Sequence, residues 1–493
     1  MLKHWQSHAE YQQFISDAVS HLNESQRKKL NSYSDSIAKL TALNLDPVRD
    51  FMLPFYSSTG RPALNQSQIL RSFVLLMDQH CFSLDSWVDT LAQDDLLSIL
   101  IGCSPDSLPP LGSYYDFINR LWLRNPDFEK FGRNDTFPYN KNKKPSLKPG
   151  KGKKLPNKHS GVTNKVAKWI RSGRDFPFHY EEALQKLFRI AAIVPSLELG
   201  LIPTANLTVS GDGTCVHTHS NIFGNKVCDC KKHGIFDCKC PRHFSDPDAS
   251  PGWDSDLGIY YFGYTLYMIA CHNTEFHIDL PLHIRLLDAR RHDSIGGLVA
   301  VAEFQSINPD INFQNLCLDS ANDNYPTYEL CKEWEVNPFI DLNSNRGRPE
   351  SIPRRLNIDK DGTPLCEAGF RMTYWGYSPA RHDVKWRCPV ATGKEEKCTC
   401  EVPCSSSPYG RCLYTKPEWD IRLYPPVARG TDEYKKTYNN RTGSERVNDR
   451  ILNNYHLHDM KIHGKKRYSF FTMIAGINIH LDAQLKVQKQ KSA

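Results

Sequence analysis

The sequence predicts an α/β protein with an all-helical amino-terminal domain and a cysteine-rich insertion. Three observations lead there. Residues 1–130 place their apolar side chains at helical spacing. From about 200 onward, short β-branched and aromatic runs alternate with helical patterns, the rhythm of an α/β domain. Between about 345 and 430 that rhythm is broken by Pro, Gly, Trp and Cys, as an insertion would break it. The chain has 493 residues, 40% hydrophobic and 24% charged, enough for two or three compact units with a sizeable core.

In chain order, Phe14, Ala18, Leu22 and Leu30 mark one helical face. Gly60-Arg61-Pro62 then precedes three apolar helical segments: Ile69 to Met77, Trp87 to Ile99, and Tyr114 to Leu121. They fit a plain helical bundle or a helix-turn-helix DNA reader, which periodicity does not separate. Residues 131–200 read as a basic linker and a connecting helix. Eight lysines fall within 138–160 among Pro, Gly, Asn and Ser, a stretch with nothing to bury. Such a run is a solvated tether, or a contact to phosphates through Lys143, Lys144, Lys153 and Lys154 without sequence preference.

The α/β domain is expected over 201–480. A strand at 207–210 ends on a Gly211-Asp212-Gly213 turn. Further strands are predicted at 260–270, 280–286, 313–318 and 338–342, with helices at 292–306 and 323–335 and a last long helix at about 431–455. Asp319 ends the 313–318 strand. Carboxylates at the ends of neighbouring strands can converge on one point, as a two-metal site requires. Glu445 lies on the last helix, in line with Tyr438 and Arg441 at spacings of three and four. Each residue also has an ordinary structural explanation: turn chemistry for Asp212, a helix cap for Asp319, an ion pair for Arg441 and Glu445.

Cysteine supplies a second chemistry. Cys228-x-Cys230 and Cys238-x-Cys240 crowd four thiols into one short loop that Lys231, Lys232, Lys239 and Arg242 make basic. Four such thiolates suit a structural zinc ion, with free buried or redox-sensitive thiols as the alternative. A second set in the insertion comprises Cys388, Cys398, Cys400, Cys404 and Cys412, with Cys366 nearby. Of these, Cys388, Cys398, Cys404 and Cys412 are the preferred zinc ligands. No charged segment followed by an apolar run opens the chain, and no stretch approaches the roughly 18 apolar residues of a membrane helix. An intracellular, cytoplasmic protein without membrane contact is expected. The net charge of +7 is a mild excess, compatible with a polyanionic partner.

Taken together, Ser-Gly-Asp212-Gly-Thr, Leu-Asp319-Ser-Ala-Asn-Asp-Asn-Tyr-Pro and Tyr438-x2-Arg441-x3-Glu445 resemble insertion-sequence DDE transposases carrying a tyrosine-arginine-glutamate signature. Gly60-Arg61-Pro62 with its following helices, and Arg291-His292-Asp293-Ser294 between the two aspartates, resemble segments of the same proteins. The matches cover roughly 55–125 and 205–480. The resemblance implies an RNase H-like mixed sheet flanked by helices. It also implies that Asp212, Asp319 and Glu445 hold magnesium or manganese, two ions in all, for DNA cleavage and strand transfer. Tyr438 and Arg441 would bind DNA phosphates. The implied partners are double-stranded DNA, at transposon ends and target, and a second copy of the chain, in a nucleoid-associated setting. One position departs from the signature: Leu452 stands where the group has a lysine, with Arg450 or Lys461 as substitutes. An inactive, zinc-stabilised DNA-binding descendant and a metal-dependent nuclease without strand transfer are the other readings.

Overall fold

A computed structural model describes residues 1–123, 136–138, 161–173, 179–343 and 348–492. The amino-terminal part folds as α1 (His8–Ser20), α2 (Glu24–Asn31), α3 (Ser34–Ala42), α4 (Asp46–Met52), α5 (Gln66–Asp78), α6 (Leu84–Gln93), α7 (Asp95–Leu100) and α8 (Leu111–Leu121). Reciprocal capping boxes, Ser7 with Glu10 and Asn23 with Gln26, fix the starts of α1 and α2. Helix α5 is buried along nearly its whole length. Its Phe73 ring packs against Tyr114 at 5.3 Å on one side and Phe470 at 4.6 Å on another.

The rest of the chain is mixed α/β. In order come β1 (Thr136–Pro138), α9 (Val162–Arg171), α10 (His179–Phe188), α11 (Val194–Glu198), β2 (Thr208–His217), β3 (Asn225–Lys226), β4 (Pro241–His243), β5 (Ser250–Asp254), β6 (Ile259–Asn273) and β7 (Ile278–Asp288). Helix α12 (Asp293–Ile307), β8 (Asn315–Leu318), α13 (Tyr325–Glu333) and β9 (Asn337–Ile340) follow. The main sheet has the order β5-β6-β2-β8-β9, with β7 also pairing β6. Strands β2, β6 and β7 are antiparallel, whereas β2, β8 and β9 run parallel, with α13 as the crossover between the last two. A separate small sheet, β1-β4-β3, carries the first cysteine loop.

Strand β2 differs from expectation. It runs straight through Asp212, which therefore sits within a strand and not at a turn. Its glycines serve close packing. A Cβ on Gly211 would stand 2.8 Å from both Leu318 Cδ2 and the Tyr267 hydroxyl, and one on Gly213 would stand 2.6 Å from Asp293 Oδ1.

The insertion forms a third sheet from β10 (Thr373–Ser378), β11 (Asp383–Arg387) and β12 (Cys412–Thr415) around Met372, Val384 and Trp386. Its return segment is fastened by buried arginines: Arg422 pairs with Asp323 at 2.9 Å, and Arg429 donates to the Tyr328 hydroxyl at 2.6 Å. The expected last helix is a nearly continuous run, α14 (Asp432–Tyr438), a tight turn at Asn439–Arg441, and α15 (Thr442–Asp449). A further 28-residue helix, α16 (Lys465–Ser492), is not among the predicted elements. Covered by β7 on one side and by α3, α5 and α10 elsewhere, it buries residues such as Phe470, Phe471, Ile474, Ile477 and Leu481 around its circumference. One hydrophobic core therefore runs from the amino-terminal helices through α16 into the sheet. No helix of the described residues is long and apolar enough to cross a membrane.

Candidate functional site

Strands β2 and β8 pair in parallel with Ser210 opposite Cys317. The same register, continued two residues, brings Asp212 beside Asp319. Helix α15 lies over β2, and its Asn448 donates from Nδ2 to Asp212 Oδ2 at 3.1 Å. Glu445 is one turn earlier on the same helix face. Position is held from outside as well: the Cys317 thiol reaches the carbonyl of Thr437 at 3.3 Å, tying β8 to the end of α14. Asn322 donates to Asp319 Oδ1 at 2.7 Å. The three predicted carboxylates, drawn from three separate segments, thus gather at one end of the strand pair, near enough for Glu445 and Asp319 to act on Asp212, although their oxygens do not all lie within 4.8 Å of one another.

A fourth acid joins them. Asp293 opens α12, and its carboxylate rests where Gly213 has no side chain. Successive strand residues face opposite sides of a sheet, so Asp293 and Glu445 reach the centre from opposite faces. Its segment, Arg291-His292-Asp293-Ser294, is conspicuous in the sequence, yet nothing local reveals that the charge of Asp319 acts on it.

The electrostatics follow from this crowding. Burial pushes the Asp212 carboxyl up to about 7, the negative charge of Glu445 adds to it, Arg441 opposes it, and Asp293 and Asp319 contribute further. Burial likewise pushes Asp293 up to about 6, reinforced by Asp319 and opposed by His292. Glu445 is half-exposed and pairs with Arg441 at 2.7 Å. Arg441 in turn lies 5.9 Å from the centroid of the Tyr438 ring, so these three residues form one row. Burial and Asp341 raise the Tyr438 hydroxyl far above its ordinary value, which keeps it a neutral donor.

The departure at Leu452 has a packing reason: its side chain is buried. Of the two substitutes, Arg450 is committed to Asp482 at 2.6 Å, whereas Lys461 is exposed. Lys143, Lys144, Lys153 and Lys154 lie outside the described residues.

Cys228, Cys230, Cys238 and Cys240 come together. Among the described residues they are the one group of three or more His, Cys, Asp or Glu side chains whose ligand atoms all lie within 4.8 Å of one another. Cys228 and Cys238 sulfurs are 3.5 Å apart and Cys230 and Cys240 sulfurs 3.6 Å, far from a disulfide bond and close to the roughly 3.8 Å edge of a tetrahedral zinc–thiolate centre. The Cys230 amide, then the Cys238 thiol, lower Cys228 to about 7, nearer its thiolate form. This set could hold a zinc ion. His217, by contrast, pairs with Asp254 at 2.9 Å and stacks on Tyr261, away from any ligand role there.

The second set is looser. Cys388 packs on Gly410, and Cys412 pairs with Arg387 next to it, at the open end of β11 and β12. Cys398 accepts the amide of Cys400 at 3.5 Å, and Cys400 is pushed up to about 11 by Cys398, burial, Cys404 and Cys366. No three of these sulfurs all lie within 4.8 Å of one another, so Cys388, Cys398, Cys404 and Cys412 are not brought together as a set.

Comparison with protein-family models and with curated proteins returned no match to this chain.

Proposed function

We propose that this chain is a DDE-type DNA transposase whose mixed sheet is RNase H-like. Asp212, Asp319 and Glu445 would hold two magnesium or manganese ions for phosphodiester cleavage and strand transfer. One observation carries the reading. Three acids distant in sequence gather at the end of the β2–β8 pair, where burial first, and then the negative charge of Glu445, raise the Asp212 carboxyl to about 7. A cluster held against its own charge is matched to divalent cations, which take hard oxygen ligands.

When bound, the ions would lower the pKa of a water or a 3′-hydroxyl and neutralise the leaving oxygen. The chain's own groups do the rest. Asp212 within β2 and Asp319 immediately after the adjacent strand β8 fix the spacing of the site. Glu445 would help hold the cation, and Arg441, its present partner, would then be available to grip a phosphate through two parallel hydrogen bonds. Tyr438, kept neutral, donates a hydrogen bond beside it. The Cys228 loop would carry a structural zinc ion. Double-stranded DNA at two element ends implies a second copy of the chain and a nucleoid-associated location.

The test is incubation of the full chain with labelled element-end DNA and Mg²⁺ or Mn²⁺. Cleaved and joined products are expected. Asp212→Ala, Asp319→Ala and Glu445→Ala should each lose more than about a hundredfold, since even outer partners of a metal site can matter that much. Equal activity in all four proteins would refute the assignment. Cleavage without joining would identify a nuclease, and DNA binding without cleavage an inactive descendant.

A further inference from the structure

We propose that Asn448 belongs to the divalent-cation site, its side-chain oxygen serving as an additional ligand presented by the same helix face as Glu445. The inference rests on the proposed function, since it assumes a cation between Asp212 and its neighbours. Asn448 is 4% exposed. Its Nδ2 donates to Asp212 Oδ2 at 3.1 Å, and its Oδ1 has no hydrogen-bond partner among the described residues. With Asp212 ionised, as a bound cation requires, a carboxylate only accepts, so the amide turns its NH2 to Asp212 and its oxygen away. Buried acceptors rarely go without a donor, because leaving one unpaired forfeits its hydration.

What remains is an oxygen acceptor, neutral and buried, held rigidly beside a carboxylate at the acidic centre. Amide carbonyl oxygens are ordinary ligands for hard divalent cations. Asn448 follows Glu445 by three residues, so both side chains leave α15 on one face. An ion on Asp212 would give Oδ1 the partner it lacks without disturbing the Nδ2 bond, which orients Asp212 meanwhile.

A role confined to propping Asp212 by a hydrogen bond makes the opposite prediction for one variant, and that separates the two. The full chain, loaded with zinc, is titrated with Mn²⁺, and free Mn²⁺ is read by electron paramagnetic resonance. The Asp212→Asn difference defines uptake at this site. Asn448→Ala is expected to weaken that uptake tenfold or more. Asn448→Asp, which keeps the oxygen and adds charge, is expected to bind Mn²⁺ at least as tightly as wild type. As a mere prop, Asn448→Asp would be the worse variant, with two carboxylates facing each other and no donor between them. Uptake unchanged in Asn448→Ala, or weaker in Asn448→Asp than in Asn448→Ala, overturns this assignment alone. Wild-type protein with no uptake sensitive to Asp212→Asn overturns the divalent-cation reading, and this inference with it. Thermal melts of each variant verify that it is folded.

Discussion

Where Gly213 lacks a side chain, the Asp293 carboxylate takes the space, one residue along from Asp212. Two carboxyls with raised pKa therefore flank the strand, and their effect on stability has a definite sign. An aspartate ordinarily titrates near 3.9. With folded values of about 7 for Asp212 and about 6 for Asp293, the metal-free folded chain binds more protons than the unfolded chain between those limits. Their contribution is fully present below pH 4 and is lost as pH rises to about 7. Asp212→Asn should accordingly stabilise the metal-free protein by on the order of 1–2 kcal/mol at pH 8 and negligibly at pH 4. Urea titrations of both proteins at each pH measure this; a gain independent of pH would show that burial and neighbouring charge do not raise the Asp212 carboxyl. Mg²⁺ should narrow the difference at pH 8, because a cation favours the charged form. At this scale, much of the centre was legible: Asp212, Asp319 and Glu445 stand in recognisable surroundings. Asp293 was not, because its importance lies in the approach of α12 to Gly213, a contact between residues eighty apart in the chain.

The loop between β3 and β4 shows how little holds a small element together without metal. Its large apolar side chains point outward, with Val227 58%, Ile235 53% and Phe236 68% exposed. Nothing resembling a core remains to fix four thiols within 4.8 Å of one another. A metal ion is the cross-link that would do so, and its binding energy would be the local folding energy. The purified chain should contain zinc at this loop. Cys238→Ser, or a strong chelator, should release it and open 221–243 to trypsin at Lys226, Lys231, Lys232 and Lys239. The main unfolding transition should shift little, since the loop lies outside the principal core. Metal analysis with timed proteolysis checks both; a loop equally resistant with and without metal would sink the idea. The pairing of β1 with β4 should be lost at the same time, which hydrogen exchange at the amides of Thr136 and Phe137 would report. The four cysteines were readable because the pattern is local. Glycine misled at 211 and 213, where the turn it suggested is a strand whose packing partners are distant. Helix α16 escaped for the opposite reason: buried on all sides, it has no polar stripe, and an apolar run without one carries no clear period.

At the scale of the whole molecule, α16 decides whether the amino-terminal helices and the sheet are separate units. Phe470 and Phe471 are fully buried and meet Phe73 of α5 at 4.6 and 5.8 Å, while His480 on the same helix bonds the carbonyl of Pro281 in β7 at 2.8 Å. A second seam reinforces the first. Asp482 pairs with Lys39 of α3 at 2.5 Å and with Arg450, just past α15, at 2.6 Å, so the helix that carries Glu445 is tied through α16 to the amino-terminal helices. Elements joined through one close-packed core open together rather than one after another. Phe471→Ala should therefore cost about 3–5 kcal/mol, the usual penalty for emptying an aromatic site in a core. The loss should appear equally in amides of α5 and β6 when hydrogen exchange is followed under native conditions. Destabilisation confined to α5, with β6 unchanged, would mean that the helices unfold on their own. In that case α16 would be a surface on which an independent domain rests, and the link from Lys39 to the Glu445 helix would not transmit a change in the amino-terminal helices to the acidic centre.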